Sequence, residues 1–162
     1  MHRFAIPSAL ALGFTMGLAS GAAAQMNPRG EAKVTLAGKP IVVDYGRPSL
    51  KGRDMLGKAE VGQEWRMGAD AATTLRTPVD LRFGTTAVPA GEYVLKARKA
   101  SATEWMLELE REGKDAVEVP LQESALDTSV EVFTIDLAEE QGQGVFRMSW
   151  GNRALTARFT SK

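Results

Sequence analysis

The chain contains no cysteine and a single histidine, His2. Disulfides, thiolate nucleophiles and lipid attachment through a lipobox cysteine are therefore excluded. His2 lies in an N-terminal stretch expected to be removed, which takes imidazole bases, Ser-His-Asp machinery and His-based zinc sites with it. Charge of one sign is also missing, since Lys and Arg number 20 and Asp and Glu number 20. That balance offers neither a nucleic-acid footprint nor an acidic tail. No D-x-[DN]-x-[DN]-G loop provides a hard-metal site, and no P-loop or G-x-G-x-x-G cradles a phosphate. We expect no metal and no cofactor, and only carboxylates, Lys, Tyr, Ser and Thr remain for chemistry.

The first 24 residues have the form of a secretory signal peptide. His2 and Arg3 make a short cationic start, Phe4 to Ala19 is apolar or small, and Ala22-Ala23-Ala24 offers a cleavage site before Gln25. Pro7, Gly13 and Gly17 break the apolar core, which is short for a spanning helix of about 20 residues. The expectation is an exported protein, periplasmic or secreted, with no stable membrane anchor after cleavage. Residues 25–162 then form one domain with its own core.

Across that domain the dominant hydrophobic period is two, with turn signals at regular intervals, which predicts an all-β fold. Tyr93, Leu95 and Ala97 alternate with Val94, Lys96 and Arg98, and Trp105, Leu107 and Leu109 alternate with Met106, Glu108 and Glu110. Val88-Pro89-Ala90-Gly91 and Glu112-Gly113-Lys114-Asp115 suit tight connections. Phe133, Ile135 and Leu137 form a buried row while Val130 and Val132 lie in the opposite phase, which predicts a β-bulge or a strand buried on both faces. Phe146, Met148 and Trp150 followed by Gly151-Asn152 and then Leu155, Ala157 and Phe159 reads as a β-hairpin. About nine or ten strands at this spacing suggest an antiparallel β-sandwich or flattened barrel. Residues 44–74 are read as one long loop, within which Asp54 to Glu64 lacks alternation and has room for a short helical turn capped by Asp54.

The stretch from Asp44 to Thr74 interrupts the pattern with glycines, a proline, arginines, carboxylates and aromatics, the mixture that functional loops carry. Tyr45, Arg47, Lys51, Arg53, Trp65 and Arg66 are the candidate ligand-binding residues. The guanidinium forks of Arg47, Arg53 and Arg66 match a carboxylate or phosphate, or they pair internally with Asp44, Asp54 and Asp70 to pin a long connection. Tyr45 and Trp65 are either a stacking platform for a sugar-like face or parts of the core. Asp44 and Asp70 are the one pair to nominate for acid–base chemistry, provided that they face each other across a cleft.

The run Asp44-Tyr45-Gly46-Arg47-Pro48 with Lys51-Gly52-Arg53, then Trp65-Arg66, Gly68-Ala69, Ala72-Thr73 and Pro89-Ala90-Gly91-Glu92-Tyr93, resembles the bacterial domain-of-unknown-function family numbered 2911. The resemblance implies an exported protein and supplies no mechanism. Where that family commonly carries Gly-Ala-Asn-Glu-Ala-Thr, this chain has Gly68-Ala69-Asp70-Ala71-Ala72-Thr73. The leading functional expectation is a non-enzymatic module that engages a small anionic or carbohydrate-like ligand, or an envelope protein, through residues 44–74. A purely structural envelope role and a carboxylate-dependent hydrolase of a glycan or envelope substrate are the alternatives.

Overall fold

The computed structural model describes residues 26–162, so the leader expected at residues 1–24 lies outside the described residues. Alternating burial builds ten strands: β1 Arg29–Leu36, β2 Lys39–Gly46, β3 Glu64–Trp65, β4 Thr74–Thr77, β5 Leu81–Phe83, β6 Thr86–Val88, β7 Gly91–Lys99, β8 Trp105–Glu110, β9 Val117–Glu140 and β10 Gln143–Ser161. They join into one antiparallel sheet in the order β1-β2-β4-β7-β8-β9-β10-β5-β6, with β3 beside β7. The all-β expectation holds, and so does the sandwich, because this sheet wraps a single core that draws Ile41, Leu95, Leu107, Phe133, Met148 and Leu155 from its separate strands. The flattened-barrel alternative does not hold: the end strands β1 and β6 do not pair, and the sheet stays open.

On the outer face of β7 and β8 the alternation places charged residues, of which Glu108 is buried. Glu108 stands directly opposite Glu118 in the register, an unfavourable like-charge pair. Arg98 resolves it by donating to both carboxylates, with Nε 2.6 Å from Glu108. Lys96 does similar work one position away, 2.7 Å from Glu110 and 3.6 Å from Glu64.

Two local expectations need correction. Asp54 to Glu64 contains turns and no helix. Asp54 does act as a cap, since its Oδ1 accepts the Gly57 N–H at 2.8 Å, but the chain follows with separate turns closed by Ala59 to Leu56 and Gln63 to Glu60. Gly57 and Gly62 within so short a stretch favour reversal over helix propagation. The predicted hairpin at Gly151-Asn152 is also absent, because β10 runs straight through it. Gly151 has φ +63°, which a bulge needs as much as a turn does.

The bulge is the feature that shapes this end of the molecule. Ser149 pairs with Thr134, Gly151 with Val130 and Arg153 with Ala125, so β9 spends more residues than β10 over the same span. Its surplus residues swing away from β10 and find a different partner. Leu50 donates its N–H to Glu131 O at 2.9 Å, Phe133 donates to Pro48 O at 2.9 Å, and Ser49 bridges Val132. The segment after β2 is thereby stitched to a strand far along the chain, which accounts for the phase switch at Val130 and Val132.

Candidate functional site

The sequence-marked block divides into two parts that the fold treats differently. Residues 66–73 form an excursion between β3 and β4, which lie along the same edge of β7. This excursion packs on the end of β2 by direct backbone contact: a β-carbon on Gly46 would overlap Ala69, and one on Gly68 would lie 3.0 Å from Gly46 O. Thr73 Oγ1 donates to Met67 O at 2.6 Å inside it, and Met67 is fully buried. Arg29 ties the outside, binding Asp44 and donating to the carbonyls of Ala71 at 3.0 Å and Ala72 at 3.2 Å. Arg66 donates to Asp70 O, and the Asp70 carboxylate accepts the Asn27 N–H at 2.7 Å.

An internal polar network is therefore present, with partners other than those expected. Asp44 pairs with Arg29, Asp70 and Asp54 accept backbone N–H groups, and no carboxylate meets Arg47 among the described residues. Arg47 is an anomaly of its own. Its Nε is buried without a hydrogen-bond partner among the described residues, and its Cδ lies where a Gly30 β-carbon would be, 2.6 Å away. Tyr45 is core: its ring meets Phe133 edge-on, and its hydroxyl donates to Ile135 O at 3.1 Å. Lys51 sits exposed at the turn, its backbone N–H held by Glu131 Oε1 at 3.0 Å.

Residues 50–65 behave otherwise, because cavities open on them. Leu50, Arg53, Asp54, Ser129, Asn152 and Arg153 line a cleft of about 270 Å³ where β9 bulges away from β10. Arg53 is fixed there by Nε donating to Leu50 O at 3.0 Å and Nη2 to Ser49 O at 3.4 Å. Arg153 enters from β10, braced from behind by Glu123. Two arginines thus line one concave surface, with Ser129 and Asn152 as further hydrogen-bonding groups.

A second, smaller cavity of about 40 Å³ lies under the turn segment, lined by Met55, Leu56, Ala59, Gln63, Trp65 and Trp105. Trp65 is half-buried, stacked on Trp150 at 5.5 Å and 16° and edge-on to Phe133 at 5.1 Å. Lys99 holds the roof, donating from Nζ to Ala59 O at 3.2 Å and from its backbone to Gln63 O at 3.3 Å.

Of the candidates marked in the sequence, Arg53 and Trp65 line these cavities, whereas Tyr45, Arg47, Lys51, Arg66, Asp44 and Asp70 line neither. Asp44 and Asp70 are each partnered on the network around residues 66–73. Sequence reasoning missed Ser129, Asn152, Arg153, Met55 and Trp105. The one usable signal was the Gly151-Asn152-Arg153 triplet, a polar insertion in an otherwise alternating strand.

A family model described as "Protein of unknown function (DUF2911)" matches residues 27–159. No curated protein and no solved structure matches the chain.

Proposed function

The chain belongs to DUF2911, a family of proteins of unknown function, and within it we propose a non-enzymatic exported module that binds a small anion in the cleft between Arg53 and Arg153. The carrying observation is that these two arginines, from distant parts of the chain, line one cleft of about 270 Å³. Forked donors that the protein already holds in place lose little entropy when a carboxylate arrives. A carbohydrate fits less well. The aromatic faces that would stack on a sugar, Tyr45 and Trp65, are engaged with Phe133 and Trp150 instead.

Acetate is the simplest probe, titrated while the guanidinium Nε–H signals of Arg53 and Arg153 are followed by NMR. Both signals should shift in a saturable way, and Arg53→Ala and Arg153→Ala should each weaken binding about tenfold, the effect of losing about 1.4 kcal/mol. Both side chains are exposed, so melting temperatures should stay close to that of the unaltered protein. Unshifted signals, or equal affinity in both variants, overturn the reading. Export is part of the same proposal, and intact-mass measurement of protein from the periplasmic fraction should give a chain beginning at Gln25.

A further inference from the structure

The polar cleft and the apolar cavity are built on the same few residues. Arg53 and Asp54 line the first, and the next two residues, Met55 and Leu56, line the second. Glu123 joins them on the far side: one carboxylate oxygen binds Arg153 of the cleft and the other accepts the indole N–H of Trp105 of the cavity at 3.1 Å. The run 53–56 and the Glu123 carboxylate thus set a cation-lined recess beside an indole-lined one.

We infer that the ligand is an amphiphilic monocarboxylate, with its head on Arg53 and Arg153 and a short apolar tail between Trp65 and Trp105. This rests on the anion-binding reading above and adds the ligand's class. A single negative charge suits the head, because Asp54 in the cleft and Glu123 behind Arg153 balance the two arginines, and without net positive charge a phosphate dianion is held less well than a monoanion. The tail is short, because a cavity of about 40 Å³ holds only a few carbon atoms. Met55 at its wall is unbranched and adaptable, so the recess can fit its occupant closely.

The test is a chain-length series of acetate, butyrate and hexanoate, with 1-hexanol as the uncharged control. Affinity should rise about fourfold per added methylene until the cavity is full, the factor that follows from burying one CH₂. Tryptophan fluorescence should change with butyrate and hexanoate and not with acetate, and 1-hexanol should bind far more weakly than hexanoate. Ala59→Met, which fills the cavity from its roof, should flatten the series while leaving acetate affinity intact. Trp65→Ala should do the same, and Ala59→Met serves if that variant is too unstable to purify. A flat series in the unaltered protein, with acetate binding still dependent on Arg53, overturns the tail and leaves the anion site standing. If no member of the series binds in an Arg53-dependent way, both proposals fall.

Discussion

Gly46 and Ala69 touch backbone to backbone, so closely that any side chain at position 46 would overlap the Ala69 peptide. This contact seats the excursion at residues 66–73 on the sheet. Gly46→Ala should cost more than about 3 kcal/mol, since the obstacle is main chain and cannot rotate away. Gly52→Ala is the matched control: Gly52 has φ +76° and open space around it. It should cost only about 1 kcal/mol of backbone strain. Urea denaturation of the two variants checks the contrast, and equal losses would remove the close-approach argument.

Arg47 carries a buried Nε that has no partner among the described residues. An unsatisfied donor costs about 1–3 kcal/mol, so Arg47→Met, which keeps the aliphatic stem over Gly30, should stabilise the fold by about 1 kcal/mol. A rise in urea midpoint with unchanged slope is the expected result. A clear loss of stability would mean that the guanidinium has a partner after all.

Lys96 should reveal itself only at high pH. Its pKa is raised, first by the hydrogen bond to Glu110 and then by attraction to Glu110 and Glu64, with desolvation opposing. A raised folded-state pKa contributes stability that is fully present below the unfolded value of about 10.4 and disappears as pH climbs through the folded value. The stability difference between the protein and Lys96→Met should therefore be constant from neutral pH to about pH 10 and shrink above it. A difference that already declines on the acid side of neutrality would assign the effect to the carboxylates instead.

Trp65 and Trp150 lie nearly parallel at 5.5 Å, which should couple their indole transitions. Trp65→Phe should abolish the resulting exciton band in circular dichroism and cost about 1 kcal/mol beyond lost area. Persistence of the band would place its origin in another aromatic pair.

Much of the fold was legible because alternation is a local signal: the rows Tyr93-Leu95-Ala97 and Trp105-Leu107-Leu109 are buried as expected. Gly151-Asn152 misled because a hairpin turn and a bulge ask the same positive φ of glycine. Only the position of β9 opposite decides between them. The cleft was half legible for the same reason. Arg53 and Trp65 stand in a conspicuous block, whereas Arg153 and Trp105 join them through register across strands, which no local window contains. Asp44 found Arg29 because β1 pairs with β2 and sets Glu31 opposite Asp44, with Arg29 two residues away on the same face.

The stitch between residues 48–50 and 131–133 also orders events in time. Its partners are some 80 residues apart, so closing that loop carries an entropic cost that neighbouring strands do not meet. Strands β9 and β10 are joined by the short turn Gln141-Gly142 and pair locally, whereas Arg53 and Arg153 line one cleft only once residues 48–50 dock on the bulge. A chain lacking the C-terminal ribbon would lose Ser129, Asn152 and Arg153 from the cleft and much of the core with them. The cleft is thus completed by one of the least local contacts of the fold.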